Sequence, residues 1–350
     1  LSIISYYLVE RPSRNKKYNF NKLVKILFII SIVISSFSSI VIFKKGFIER
    51  YPPKFQNILE GRSKDILKNL TGKNVYNKNI RLTSDAAKKN IFLVGDSHAE
   101  TLVYSLWKNN QNNYNLNYSV FRGCQLILNV NRLNKKTLKK RNDCQISTQE
   151  ERINFINKTE NSIVIFFNRF PLILEEDRFY NSEYGFYEGE MEDFLQNEKN
   201  SLSTKKDRQK NIKNNFTKTI NKLLEKNHDI ILVYPMPEVG IDVPNVLINN
   251  FKFDKYNELL SKRKIFSTSY EIYRERTKSS FKLLDSIQGD KIYRIYPHKL
   301  FCDSVIKDRC VTNDSKNIFY RDDDHPSLKA AEMINELIKN EIKKIEEIKK

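Results

Sequence analysis

The sequence predicts a three-layer α/β fold, a parallel sheet with helices on both faces, preceded by a transmembrane helix. Three observations predict it. Short apolar-rich runs bounded by polar sequence recur at 91–94, 118–121, 163–167, 230–234 and 292–296, each the length of a buried strand. Helical patterns alternate with them, and that alternation builds a parallel sheet with ligands at the C-terminal ends of its strands. Ahead of both, Ile26 to Phe43 is an uncharged run of 18 residues, which just reaches the length a bilayer requires.

In chain order, Arg11, Arg14, Lys16, Lys17, Lys22 and Lys25 precede that run, against Lys44, Lys45, Arg50 and Lys54 after it. The bias puts the N-terminal side in the cytoplasm and the large domain outside. A signal peptide is the competing reading. A polar stretch precedes the run and no small-residue cleavage site follows Phe43, so an anchor is expected. Residues 46–88, with Pro52-Pro53, Gly61 and Gly72, read as a linker and a small extension packed on the domain that follows. Ala99, Leu102, Val103, Leu106 and Trp107 then fall at helical spacing. The segment 175–210 is charged and Tyr-rich with little periodicity; it reads as an insertion beside the site or equally as a solvated loop. Ile212, Phe216, Ile220, Leu223 and Leu224 mark the next helix, and Leu328, Ala331, Ile334, Leu337 and Ile338 the last.

The 350 residues suit one domain of about 250 residues with appendages, and a 40% hydrophobic content is enough for a core. A net charge of +19 raises nucleic acid as a partner. However, Lys is interspersed with Asn and Glu, without an arginine-rich block or an aromatic-basic repeat, so nucleic acid is not expected. Cys124 and Cys144 flank a basic loop, and Cys302 and Cys310 a short polar one. Without a CxxC pair no metal is expected. Three pairings are formally possible. Export and loop placement favour the two sequence-local disulfides.

The chemistry is concentrated in Gly95-Asp96-Ser97-His98, between an apolar strand and an amphipathic helix. A serine there meets free backbone N–H groups and the positive end of the helix dipole, which favour the anion formed when it attacks a carbonyl. It needs a base, and the chain has four histidines. His98 is on the same turn and poorly placed to face the serine. His228 reads as a surface turn residue and His298 as structural. His325 has Asp322 three residues earlier, close enough for the carboxylate to orient the imidazole within one turn. Alone, Asp322-Asp323-Asp324-His325 would be a helix-capping loop; with Ser97 in the expected order, a catalytic triad is favoured.

Gly-Asp-Ser near the start of a domain and Asp-x-x-His near its end resemble the SGNH hydrolase superfamily. Leu300-Phe301-Cys302-Asp303, Cys310 and Tyr320-Arg321-Asp322-Asp323-Asp324-His325-Pro326-Ser327 with Ala330-Ala331 go further. They, and Tyr234-Pro235-Met236-Pro237-Glu238, are similar to the C-terminal SGNH domain of acyltransferase-3 family polysaccharide O-acetyltransferases. The resemblance covers roughly residues 85–345 and implies an SGNH-hydrolase-like sheet. It implies an oxyanion hole of the Ser97 N–H, the Gly123 N–H and a third donor after the third strand. The family's Gly-x-Asn-Asp motif is missing there; Asn168 and Arg169 are the candidates, with Arg169 preferred.

Leu1 to Arg14 resembles the end of the acyltransferase-3 membrane domain, which divides the chain into that end and a cytoplasmic loop (1–22), the transmembrane helix (23–45), the linker and extension (46–88) and the catalytic domain (89–350). On this reading the chain is the tail of a longer protein in the inner membrane, with its catalytic domain in the periplasm. The domain itself needs no cofactor; acetyl-CoA is the ultimate donor, through a membrane domain in cis. The acceptor is a sugar hydroxyl of a polysaccharide or lipid-linked glycan, such as lipopolysaccharide O-antigen. The alternatives are a carbohydrate esterase with the same triad, or a non-catalytic glycan-binding module.

Overall fold

The computed structural model describes residues 3, 6–11, 20–44, 46–47, 77–197, 204–252, 265–314 and 316–349, in two units that divide after Gln56. Most of the expected linker and extension, 48–76, lies outside the described residues, as does 198–203 of the expected insertion. In the first unit, α1 (Phe20–Phe43) contains Val24–Phe43, a 20-residue stretch of mean hydropathy 2.7 that is long and apolar enough to cross a membrane. Its serines do not interrupt it. Ser39 donates its hydroxyl to the Ser35 carbonyl at 2.8 Å, so that polar group is satisfied within the helix.

The second unit runs β1 (Lys78–Arg81), β2 (Lys89–Gly95), α2 (Ser97–Asn110), β3 (Tyr114–Val120), β4 (Asn131–Asn134), α3 (Ile146–Ile156), β5 (Ile163–Phe167) and α4 (Phe170–Glu175). A hairpin follows, β6 (Tyr180–Asn181) with β7 (Phe186–Tyr187), then β8 (Asp193–Gln196), α5 (Lys205–Leu224), β9 (Asp229–Val233) and α6 (Val243–Lys252). The chain continues with β10 (Ser267–Ser269), α7 (Tyr270–Asp285), β11 (Ile292–Ile295), α8 (His298–Phe301), β12 (Arg309–Val311) and α9 (Leu328–Ile348). Six strands form one sheet in the order β1-β3-β2-β5-β9-β11, parallel throughout except for β1, which runs antiparallel to β3. β2 lies between β3 and β5, where the chain first winds one way and then the other. The carboxyl end of such a strand is the usual ligand crevice of an open α/β sheet.

The five parallel strands are the five predicted runs. Their side chains alternate between two cores because successive Cβ atoms point to opposite faces. Ile91, Leu93, Ile165 and Val233 face α2 and α9; Phe92, Val94, Phe166 and Leu232 face α3, α5 and the end of α7. Burial on both faces explains why the runs in β2, β5 and β9 read as unbroken apolar stretches. β3 starts at Tyr114, before the run at 118, because asparagines hide its first half. Asn115 donates to the Asp85 carbonyl at 2.7 Å, and Asn117 to the Asn90 side chain at 3.1 Å. β1 (Lys-Asn-Ile-Arg) has one apolar residue and sits at the edge, so the segment read as an extension supplies an edge strand that patterning misses.

One expectation is corrected. His228 is not a surface turn residue but fully buried, its Nδ1 accepting the Ser162 N–H at 3.1 Å. Burial pushes its imidazole down to about 4. His298 is structural as expected, packed among the rings of Tyr273, Phe281 and Tyr296, and burial pushes it too down to about 4.

Candidate active site

Ser97 is the first residue of α2, directly after β2 and Asp96. A Cβ at Gly95 would collide with the Phe167 carbonyl oxygen of the neighbouring strand and come within 2.8 Å of the Ala99 Cβ. Only glycine lets β2 turn there. Asp96 caps the helix, accepting the His98 N–H at 2.9 Å; its other oxygen accepts the Arg169 N–H at 2.8 Å and the Gln125 amide at 2.7 Å. One carboxylate thus ties together the turns after β2, β3 and β5. Ser97's own N–H, in the first turn, has no intrahelical partner.

The opposite wall is a tight loop. Arg321 donates its N–H to the His325 carbonyl at 3.0 Å, and Ser327 caps α9 by accepting the Ala330 N–H. Within the loop Asp322 accepts the backbone N–H groups of His325 (2.8 Å) and Asp324 (3.2 Å). The 239–243 segment holds it from outside, with Val239 N–H on the Asp323 carbonyl at 2.9 Å and Val243 N–H on Asp322 at 3.2 Å. This places His325 Nε2 2.8 Å from Ser97 Oγ, with Nδ1 3.0 Å from both oxygens of Asp322. Ser97, His325 and Asp322 are brought together with the spacing a proton relay needs.

The imidazole is buried, which disfavours its charge, but the carboxylates of Asp324 and Asp322 outweigh that and hold it up to about 9. Asp324 lies 2.7 Å from Nδ1 through Oδ1, while its Oδ2 faces His98 Nε2 at 3.1 Å and Arg169 Nη1 at 2.6 Å. His98 therefore faces the acidic loop. Its ring also meets that of His325 edge-on, centroids 5.0 Å apart.

Gly123 heads a turn closed by the Cys124 N–H on the Phe121 carbonyl at 2.9 Å. Its φ is +63°, and a Cβ would press on the Arg141 and Arg132 guanidiniums at 2.9 and 3.1 Å. The Cys124–Cys144 disulfide ties this turn to the start of α3, and Cys302–Cys310 joins α8 to β12; both pairings are the sequence-local ones. Among the described residues no cysteine is free.

The two candidates for the third donor differ. Arg169 is buried and spends its guanidinium on three carboxylates: Asp324, Glu188 at 2.7 Å and Glu238. Arg276 also reaches Glu238, at 2.6 Å. Asn168 is fully buried with neither amide atom hydrogen-bonded among the described residues. A dry, unpaired amide is costly unless something else completes it. Sequence reasoning missed the roles of His98, Asp324 and Glu188, which share no local pattern. It saw Glu238 only within the quoted Tyr-Pro-Met-Pro-Glu run.

The family profile described as the SGNH domain fused to AT3 domains matches residues 67–340. No curated protein matches the chain at a significant level. Among solved structures, the periplasmic domain of the Salmonella ser. Paratyphi A lipopolysaccharide acetyltransferase is 17% identical, covering 81% of this chain and 99% of that one with a TM-score of 0.51. A GDSL-like lipase from Bacteroides thetaiotaomicron VPI-5482 is 11% identical, covering 82% of this chain and 100% of that one with a TM-score of 0.37.

Proposed function

Because the chain belongs to the family of SGNH domains that occur fused to AT3 domains, we propose that it transfers an acyl group, acetyl being the first choice, to a sugar hydroxyl of a bacterial surface polysaccharide. The observation that carries the reading is the 2.8 Å approach of Ser97 Oγ to His325 Nε2, with Asp322 on the far side of the ring. Ser97 Oγ bonds to the acyl carbon as His325 takes its proton; the donor's leaving group departs and receives that proton. The sugar hydroxyl then attacks the acyl-enzyme, losing its proton to His325, and Ser97 is released reprotonated. Asp322 holds the tautomer. The oxyanion is assigned to the N–H groups of Ser97 and Gly123 and to the unpaired amide of Asn168, which replaces Arg169 as the preferred third donor.

A membrane domain of the AT3 type in cis would draw on cytoplasmic acetyl-CoA and pass the acyl group to the periplasmic side of the inner membrane, where α1 anchors this domain. The acceptor side is assigned to the β6–β7 hairpin, inside the charged segment 175–210. Its Tyr180, Phe186 and Tyr187 are exposed, and sugar rings stack on such surfaces. Asn181 ties it to the Val239 carbonyl at 2.7 Å, one hydrogen bond from the catalytic loop. The likeness in fold to the Salmonella acetyltransferase domain supports lipopolysaccharide as the first acceptor to try. The test is product analysis with an acetyl ester and candidate glycans. Acetylated glycan formed at the expense of free acetate is expected; acetate release unaffected by glycan, with loss of acetyl from acetylated glycan, would replace transfer with the esterase reading.

A further inference from the structure

Beside the triad stands a carboxylate that the Ser97–His325–Asp322 relay does not use. Asp324 is buried, adjacent to His325 in sequence, and its two oxygens face different ways. Oδ1 lies 2.7 Å from His325 Nδ1, nearer than either oxygen of Asp322. Oδ2 meets two donors from elsewhere in the fold, His98 Nε2 from α2 at 3.1 Å and Arg169 Nη1 from the turn after β5 at 2.6 Å. A buried carboxylate survives only with such partners. We propose that Asp324 is a second carboxylate for the imidazole, a positioning residue that Arg169 and His98 hold against the Nδ1 edge of His325. The proposal rests on Ser97 as nucleophile and His325 as base.

The surrounding charges agree. From its own loop His325 is faced by Asp322 and Asp324, with Asp323 beside them and Arg321 3.7 Å from Asp322. From α2 comes His98, from the turn after β5 Arg169, and behind Arg169 stand Glu188 of the hairpin segment, Glu238 after β9 and Arg276 of α7. Burial raises the carboxyls of Glu188 and Asp323, and Glu238 is shared by Arg169 and Arg276, so the negative charge at the imidazole is that of Asp324 and Asp322. Burial opposes ionisation of Asp324, yet Arg169 and His325 hold it well below the ordinary carboxylate range. Asp324 is in turn the leading cause that raises His325. Asp322 orients the Nδ1–H, while Asp324 supplies the charge that favours the imidazolium formed when Ser97 gives up its proton.

The experiment uses the whole chain in detergent and follows acetate release from p-nitrophenyl acetate across pH. Free imidazole is needed for Ser97 to react, so the rate climbs as pH rises through the His325 midpoint. Asp324→Asn keeps the shape and leaves Arg169 paired with Glu188 and Glu238. It is expected to move that midpoint down by about one unit or more, towards the ordinary histidine value of ~6.5, with the plateau retained within about tenfold. Asp322→Asn is expected to lose on the order of 10³–10⁴ from the plateau. A midpoint unmoved by Asp324→Asn overturns the proposal alone. Full turnover by Ser97→Ala overturns the nucleophile assignment and the proposal with it. Should Asp324→Asn not fold, NMR titration of the four histidines in Asp322→Asn, where Asp324 is the carboxylate left at Nδ1, decides, with His325→Gln to assign the signal. A His325 midpoint well above the ordinary value supports the proposal, and one at or below it overturns it.

Discussion

Arg152 and Arg169 are both buried around the carboxyl end of the sheet, and they are held in opposite ways. Arg152, on α3, donates to the carbonyls of Gly95 (3.2 Å), Ser119 (2.8 Å) and Cys124 (2.9 Å), and to the Ser119 hydroxyl (2.9 Å); its guanidinium lies 4.6 Å from the Phe121 ring. None of its hydrogen-bond partners among the described residues is a carboxylate. Burial pushes it down to about 9, with the Asp96 charge opposing. Arg169 is buried too, but Asp324, Glu238 and Glu188 outweigh that burial and hold it well above its ordinary value. One arginine staples the backbone that presents Ser97 and Gly123; the other collects the charges behind His325. Neutral carbonyls hold their partner at acid and neutral pH alike, wherever the arginine keeps its charge, whereas carboxylates do so only while ionised.

The largest test of that contrast is Arg169→Met. It takes one cation from three carboxyls, leaving Glu238 with Arg276 and Asp324 with its two histidines. Breaking a buried ion pair costs about 3–5 kcal/mol, read by denaturant unfolding near neutral pH. In the unaltered chain Asp324 and Glu238 are held below their ordinary values, so their stabilisation is present above the unfolded carboxylate pKa and lost as pH falls. In the variant those carboxyls protonate more readily. The deficit should therefore shrink as pH falls from about 8 to about 5; a constant deficit would put Arg169 in the same class as Arg152.

The Cys124→Ser/Cys144→Ser pair comes next, at about 3 kcal/mol. Because Arg152 donates to the Cys124 carbonyl, the disulfide and that arginine hold the same turn. Adding Arg152→Met, itself expected to cost about 2 kcal/mol through acceptors left dry, should give less than the sum, while adding Arg169→Met should give nearly the sum. Equal coupling to both arginines would erase the distinction. The Arg152→Met deficit by itself should stay flat over the same pH range.

The smallest effect is expected from Glu188→Gln. Burial, then the charges of Glu238 and Asp324, raise its carboxyl to about 8 in spite of Arg169. The folded chain keeps that proton up to about pH 8 while the unfolded chain releases it near its ordinary value. Its contribution is therefore fully present below the unfolded pKa and fades as pH rises through about 8. Glutamine imitates the protonated form, so below pH ~7 stability should change by no more than about 0.5 kcal/mol, and the decline towards pH 8 should flatten. A large loss near pH 6 would mean that Glu188 is ionised and essential to Arg169.

These contrasts also mark what the sequence makes legible. The Gly95–His98 turn, the Asp322–His325 spacing and the five apolar strands are local patterns, and each is found where its neighbours in sequence put it. Arg152 follows Glu150 and Glu151 on a polar helix, and no local pattern marks it for burial; it is buried by its place against the carboxyl ends of β2 and β3. Arg169, Glu188, Glu238 and Asp324 are brought together from four separate turns, and no periodicity encodes that meeting. Asn168 enters through the family resemblance alone, and its unpaired amide distinguishes it from Arg169.

The central claim is that Ser97 carries the acyl group. The direct measurement is intact-mass and peptide mass spectrometry of the whole chain after brief exposure to an acetyl ester and acid quench. The account predicts one acetyl group on the peptide containing Ser97, reduced in His325→Ala and missing in Ser97→Ala. An acetyl adduct that persists in Ser97→Ala, or that maps to another residue in the unaltered chain, would contradict it.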